Sequence, residues 1–444
     1  MKNKDLIIKD NKIIANCSRA SYFPLVIKKA NGIYVEDLDG NKYIDMISSA
    51  CVMNTGYNHD KIIEAVKRQI DQYIHFSNDY FYSEPQVKLG EKLIEKTPGK
   101  FRKKVIFGFS GSDAIDSAIK ASRSYTKRLK IISFIGAYHG STYGAISISG
   151  IDTNMVSGIG PLLPEVYHLP YPDIREMKDN EREEEFGIRK FNEFIRNFNY
   201  YIPKDEVAAI FIEPIAGDLG LIKAPESFVK NLRDFCTDND ILFIVDEIQQ
   251  GFGRTGKWFC IEHFDVIPDL VVTGKAMGSG LPISAVVGRE EVIDSLKIPA
   301  QLFTLQGNAV CAISAYKTIE IIDDENLLKN AELIGKYIVL RFLEIKKKSS
   351  IIKTVRGYGL SIGVELEDKY KKISSVNIVK KICYRCFEKG IILIYLAGKT
   401  LRIQPPLIIN EKEAKIAMDI IEEVFSEYEK GKISDEVLNK IQGW

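Results

Sequence analysis

The chain has 444 residues, 45% of them apolar and 27% charged, with a formal net charge of +1. That length exceeds one simple core and predicts two packed domains, a large α/β one and a smaller one. The charge balance gives no electrostatic reason to expect nucleic acid or an anionic membrane as partner. The start, Met1-Lys2-Asn3-Lys4-Asp5, has no apolar signal core, and no stretch approaches the roughly 18 apolar residues of a membrane span. A soluble cytoplasmic protein is therefore expected. The seven cysteines are scattered and odd in number, which argues against a disulfide framework. Cys383 and Cys386 form one CxxC, but no further Cys or His ligands lie near, so they are read as one face of a helix and no metal site is expected.

In chain order, alternating apolar residues around Asp39-Gly40-Asn41 predict a β-hairpin or meander over 32–45. Residues 60–75 and 84–96 have the 3.6-residue periodicity of amphipathic helices. From Val105 to Val287 short apolar runs alternate with helical patterns. The runs are Lys104–Phe109, Lys130–Phe134, Val207–Ile212, Ile241–Val245, Leu270–Val272 and Ser284–Gly288. Strands apolar throughout predict a mostly parallel sheet covered by helices on both faces. The charge-dense stretch 174–206 is expected to be a solvated helix face. Beyond about residue 315 long amphipathic helices precede strands at Ser361–Leu366 and Leu401–Ile403 and a closing helix near 411–430. The expected organisation is an N-terminal segment, 1–56, joining a small α+β domain, 313–444, beside a large domain, 57–312.

The polar motifs fall after the strands, where ligands bind in such sheets. Phe109-Ser110-Gly111-Ser112-Asp113 reads as a strand end and a helix start, a place where backbone N–H groups hold phosphate. Gly136-Ala137-Tyr138-His139-Gly140 puts an aromatic between glycines, able to stack on a flat ring. Glu213-Pro214-Ile215-Ala216-Gly217-Asp218 offers two carboxylates on a bendable loop. Asp246 ends an apolar strand, where an unpaired charge is costly and must meet a cation. Lys275 stands among small residues after the next strand. An acid from one strand and an amine from another suit pyridoxal 5'-phosphate: the amine forms a Schiff base with the aldehyde and the acid partners the pyridine nitrogen.

On these residues, with Asp246-Glu247-Ile248-Gln249, Gly253-Arg254-Thr255-Gly256 and Gly274-Lys275 as the specific markers, the chain resembles the class III, ω-aminotransferase-type enzymes of fold type I over nearly its whole length. The resemblance implies that Lys275 carries the cofactor, Asp246 pairs with the pyridinium, Gln249 bonds the phenolic oxygen and Tyr138 stacks on the ring. It implies seven strands in the sheet, with Gly111 and Ser112 as phosphate ligands, Glu213 as a further cofactor-site residue, and Thr304 as a threonine reaching the phosphate of a neighbouring subunit. A homodimer with shared sites, or a tetramer of two such dimers, follows. Arg402 matches the arginine that grips an α-carboxylate. The run Gln306-Gly307-Asn308-Ala309 departs from the family's usual Gly-Gly-Asn-Pro. Within the class, the stretches 138–144, 299–304, 396–402 and the terminal Gly443-Trp444 resemble the amino-acid racemases and isoleucine 2-epimerases on this scaffold.

A racemase needs a second acid–base group across the substrate plane from Lys275. Asp218 is the expected group, since it is one methylene shorter than the glutamate that many relatives set against the arginine. Tyr22, with Tyr80 and Tyr82, is expected to feed a pocket for apolar or branched-chain substrates. An aminotransferase of 4-aminobutyrate or ornithine type is the alternative, and a non-catalytic relative is disfavoured by the intact Lys275, Asp246, Gln249 and Arg402.

Overall fold

The computed structural model describes residues 2–370 and 372–443; the resemblance marker Trp444 lies outside them. The chain divides into two compact units. One comprises residues 61–252 and 257–321, the other residues 1–60, 253–256 and 322–444.

The larger unit is built on seven strands: β1 (Lys103–Gly108), β2 (Lys130–Ile135), β3 (Val166–Pro170), β4 (Val207–Ile212), β5 (Leu242–Asp246), β6 (Leu270–Thr273) and β7 (Ser284–Arg289). Their order across the sheet is β1-β7-β6-β5-β4-β2-β3. Only β7 runs against its two neighbours, so the other six strands are parallel. Every residue of β4, β5 and β6 is buried. This is what a near-continuous apolar run requires when helices cover both faces. Beside the sheet, Ile115, Ala118, Phe211, Ile244 and Val272 share one core cluster, each large side chain contributing roughly 1.5–3 kcal/mol by leaving water.

Six of the strands follow the expected runs to within two residues, whereas β3 had no place among them. Its sequence, Val-Tyr-His-Leu-Pro, is only partly buried because β3 is an edge strand, and edges tolerate such mixed composition. The charge-dense stretch forms a helix, Glu183–Tyr201, whose first-turn acids are exposed as expected, while its opposite face buries Phe186, Phe194 and Phe198, which the sequence reading did not single out. Phe194 and Phe198 pack edge-on against Phe235 at 6.1 and 5.1 Å. Charge density masked an aromatic stripe at helical spacing.

In the smaller unit, strands Ile27–Asn31, Tyr34–Asp37 and Lys42–Asp45 form the expected meander, joined in parallel by Ile391–Ile392. A second sheet runs Ile352–Tyr358, Ser361–Leu366, Thr400–Ile403, Ile394–Leu396. The closing helix spans Glu411–Glu429 and is capped by Asn410, which accepts from Glu413 N. Cys383 and Cys386 are buried free thiols on the helix Ser375–Glu388, as the helix-face reading expects. No helix among the described residues is long and apolar enough to cross a membrane.

Candidate active site

Five loops leave the carboxyl ends of the parallel strands β1, β2, β4, β5 and β6, and they hold most of the site residues expected from the sequence. After β1, Ser110 caps the helix Gly111–Thr126 through a reciprocal pair: Ser110 Oγ accepts from Asp113 N at 3.2 Å and Asp113 accepts from Ser110 N at 3.1 Å. Burial raises the Asp113 carboxyl above its usual range. The helix N-terminus at Gly111 and Ser112 is thereby fixed, a seat of the kind that suits an anion.

The loop after β2 lies directly against that seat. Ser141 N donates to Ser112 Oγ at 3.1 Å. A Cβ on Gly140 would fall 2.9 Å from the Ser112 Cα, so only glycine permits this approach. Tyr138 N donates to Glu213 Oε1 at 3.0 Å, and Gly217 N donates to Glu213 Oε2 at 2.9 Å. One buried carboxylate therefore ties the loop carrying Tyr138 to the loop carrying Asp218. Burial and the neighbouring Asp246 push the Glu213 carboxyl well above the ordinary carboxylate range.

Beyond β4 the chain makes a small hairpin, Ile215–Ala216 against Ile222–Lys223. Its stem is pinned by Tyr171, whose hydroxyl bonds the carbonyls of Glu213 and Ile222, each at 3.1 Å. Asp218 sits in the hairpin turn, partly exposed. The hairpin was not foreseen, because its strands are two residues long.

Asp246, at the end of β5, is 4% exposed. Its Oδ1 accepts from Ile248 N at 2.9 Å and its Oδ2 meets His139 Nδ1 at 2.7 Å. His139 is the group that sequence reasoning missed. It was visible only as the residue after Tyr138, and nothing local marked it as the partner of an acid 107 residues away. Its other nitrogen, Nε2, is buried without a hydrogen-bond partner among the described residues. Glu247, next in the chain, points elsewhere. It accepts from Cys260 N at 2.9 Å and Ile261 N at 2.7 Å, and burial raises its pKa to about 8.

Gln249 is buried and accepts from Gln250 Nε2 at 3.0 Å. A Cβ on Gly217 would meet the Gln249 amide at 2.4 Å, so the hairpin lies flush on it. Past β6, Lys275 has φ +43, a left-handed conformation rare for a side chain of this size. The preceding Gly274 faces the Gly111 backbone, and a Cβ placed on it would lie 3.6 Å from Gly111 N. The amine-bearing loop and the anion seat thus adjoin.

Thr304 is exposed, in a loop moored at both ends. Gln301 Nε2 donates to Ser117 Oγ at 2.6 Å, and Asn78 Nδ2 donates to Gly307 O at 2.8 Å. Tyr80 and Tyr82 are exposed, 75% and 104%.

Tyr22 and Arg402 belong to the smaller unit. Tyr22 donates to Tyr395 O at 2.8 Å and its ring meets that of Tyr395 edge-on at 5.4 Å. Arg402 is 4% exposed, and its Nε donates to Gln404 Oε1 while Nη2 donates to Cys51 Sγ at 3.2 Å. Gln404 Nε2 in turn donates to Ser361 Oγ at 3.0 Å, which fixes the amide's orientation.

Cys51 reaches Arg402 from an unusual backbone. Ser48, Ser49, Ala50 and Cys51 have φ of +44, +49, +59 and +65, a full left-handed turn closed by Val52 N donating to Ser48 O at 2.9 Å. Four non-glycine residues in that conformation cost roughly 1–2 kcal/mol each. The turn is held by Asp45, which accepts from Ile47 N at 2.8 Å, Ser49 N at 3.0 Å and Tyr57 Oη at 2.6 Å. Arg254, fully buried, donates to Ser48 Oγ at 3.0 Å, to Leu360 O at 3.1 Å and to the oxygens of Asn54 and Pro405. The Gly253–Gly256 motif thus contributes a structural guanidinium to the smaller unit.

Residues 16–425 match the family described as Aminotransferase class-III. The chain belongs to that family. It is 43% identical to the isoleucine 2-epimerase of Lentilactobacillus buchneri, over 98% of this chain and 97% of that protein. It is 40% identical to the leucine/methionine racemase of Thermococcus litoralis, over the full length of both. Among solved structures, an ornithine aminotransferase of Toxoplasma gondii with partial occupancy of PLP at its active site superposes with a TM-score of 0.85, at 26% identity, over 97% of this chain and 96% of that one.

Enzymes of this family and these racemases depend on pyridoxal 5'-phosphate. The residues present fit that group. Glycine is required where the β2 loop crosses Ser112, the helix N-terminus suits a phosphate, and Lys275 offers the amine. Asp246, buried and bonded by an imidazole, supplies the negative charge that a protonated ring nitrogen needs.

Proposed function

We propose that the protein is an amino-acid racemase or epimerase that inverts Cα of apolar or branched-chain amino acids. The observation that carries this reading is full-length identity of 40–43% to an isoleucine 2-epimerase and a leucine/methionine racemase. Pyridoxal 5'-phosphate, when bound, delocalises the charge left at Cα after its proton departs.

The chain's residues then have distinct tasks. Gly111 and Ser112 would hold the phosphate, Tyr138 would stack on the ring and Gln249 would bond its phenolic oxygen. Asp246 keeps the ring nitrogen protonated, and His139 stabilises the charge of Asp246 by its 2.7 Å bond. Lys275 moves the proton on one side of Cα, and Asp218 moves it on the other. Arg402 holds the α-carboxylate by a bidentate pair, and Tyr22 borders the side-chain pocket. Glu213 serves as a clasp for the Tyr138 and Asp218 loops. The functional particle is a homodimer in which the exposed Thr304 reaches the phosphate of the partner subunit.

Incubation of the PLP-loaded protein with L-isoleucine and no keto acid, followed by chiral chromatography, tests the reading. D-allo-isoleucine is expected over many turnovers. Amine transfer to 2-oxoglutarate or pyruvate without any epimer would make the protein an aminotransferase instead.

A further inference from the structure

Gly443 packs against Tyr22 within the smaller unit, and its position admits no side chain. Its φ of +73 favours glycine. A Cβ there would lie 2.5 Å from Tyr395 Oη and 2.8 Å from Tyr22 Cε1. Both atoms belong to aromatic rings rather than to the ends of flexible chains, so one ring or the other would have to move.

Hydrogen bonds close this contact. Tyr395 Oη donates to Gln442 O at 2.5 Å, and Tyr22 Oη donates to Tyr395 O at 2.8 Å. The N–H groups of Gln442 and Gly443 both donate to Ser21 O, at 3.3 and 3.2 Å. Burial pushes the Tyr395 hydroxyl up to about 12, which keeps it a donor at neutral pH. On the other side of Tyr22, Phe23 stacks on Phe387 at 4.6 Å, and Phe387 stacks on Tyr43 at 5.1 Å. Residues 21–23 are thus held between an aromatic stack and Gln442-Gly443.

The anchor of Tyr22 is tied to Arg402 by strand pairing. Tyr395 lies on the edge strand Ile394–Leu396, where Ile394 pairs with Arg402 and Tyr395 with Leu401. One two-stranded ribbon therefore carries Arg402 on one strand and the residue that holds Tyr22 on the other.

We infer that Tyr395 and Gly443 are positioning residues that set the size of the substrate side chain: they fix the Tyr22 ring relative to Arg402, so that the wall of the side-chain pocket and the grip on the α-carboxylate are spaced by one ribbon. The inference rests on the readings of Tyr22 as the border of that pocket and of Arg402 as the carboxylate clamp. It makes the segment around Gln442 part of the selectivity for branched side chains.

The test is titration calorimetry of the PLP-loaded protein with two carboxylates that lack the amine, alongside KM and kcat for L-isoleucine. One is 3-methylpentanoate, which has the side chain of isoleucine, and the other is propanoate, which has only the methyl of alanine. Gly443→Ala is expected to weaken 3-methylpentanoate about tenfold, roughly the contact of one methylene in an apolar pocket, and propanoate much less. It raises KM by the same factor, with a smaller change in kcat. Tyr395→Phe keeps the ring and loses the bond to Gln442. It should weaken 3-methylpentanoate selectively by about threefold, and it decides the matter if the Gly443 variant does not fold. Equal weakening of both carboxylates would mean that the two residues only hold the unit together, and would overturn the inference. Tyr22→Ala separates the remaining failures. If it weakens 3-methylpentanoate selectively while Gly443→Ala and Tyr395→Phe change nothing, the inference falls and the reading of Tyr22 stands. If Tyr22→Ala also leaves the selectivity unchanged, the reading of Tyr22 falls and takes the inference with it.

Discussion

Two regions of this molecule bury charged side chains, and they hold them differently. At the carboxyl edge of the larger unit's sheet the buried groups are acids: Asp246 on an imidazole, Glu213 on two backbone amides, Glu247 on two more. In the smaller unit a buried acid and a buried guanidinium share one turn: Asp45 gathers backbone amides and the Tyr57 hydroxyl, and Arg254 rests on carbonyl and hydroxyl oxygens around Ser48. The difference teaches where a counter-charge is still to come: an acid held by an imidazole at a sheet edge suits a cationic ring nitrogen, whereas an acid and a guanidinium buried on one turn serve the turn itself.

The comparison breaks most visibly at the amine that joins cofactor and substrate chemistry. Lys275→Ala should lower epimerisation of L-isoleucine by more than about 10³-fold, measured by chiral chromatography. Asp246→Asn removes the acid but keeps the shape, and should cost about 10²–10³-fold in kcat. Asp218→Asn should lower epimerisation about 10²-fold and leave single-turnover amine transfer nearly intact. Equal losses in both would remove Asp218 from the acid–base role. His139→Phe cannot support Asp246 and should cost about 10–100-fold, the scale of one buried hydrogen bond to a charged group.

The smallest effect sharpens the structural side of the contrast. The Glu247 carboxyl has its pKa raised by burial to about 8 in the folded chain, above its unfolded value of 4.5. The folded state therefore holds more protons than the unfolded one between these values, and stability from this group falls as pH rises through that window. Glu247→Gln cannot ionise. Its Tm deficit against the natural chain should shrink as pH goes from about 5 to about 8, as read by thermal melting. A deficit independent of pH would contradict the buried-acid account of this residue.

The site residues of the larger unit were largely legible in the sequence, and the left-handed turn of the smaller unit was not. Asp246, Lys275 and Glu213 each follow an apolar run long enough to be read as a buried strand, so their position at the sheet's carboxyl edge came with the strand. Tyr138 and Gly140 were flagged by glycine spacing, but His139 joins Asp246 only through the pairing of β2 with β4 and β4 with β5. Ser48-Ser49-Ala50-Cys51 contains no glycine or asparagine, the residues that usually announce positive φ. Its conformation is imposed by Asp45, Arg254 and Gln404, partners as much as 356 residues distant, and no local pattern encodes that. The edge strand Val166–Pro170 and the phenylalanine stripe of Glu183–Tyr201 were hidden for a simpler reason: polar neighbours diluted the apolar signal.

The central claim is that two groups, Lys275 and Asp218, move the proton on opposite sides of Cα. Epimerisation of L-isoleucine in D2O, followed at early times by mass spectrometry of the separated isomers, tests it most directly. The account predicts that the D-allo-isoleucine formed carries deuterium at Cα, because its proton comes from a group other than the one that took the substrate's. D-allo-isoleucine retaining the substrate's own hydrogen would mean that a single group serves both sides, and would contradict it.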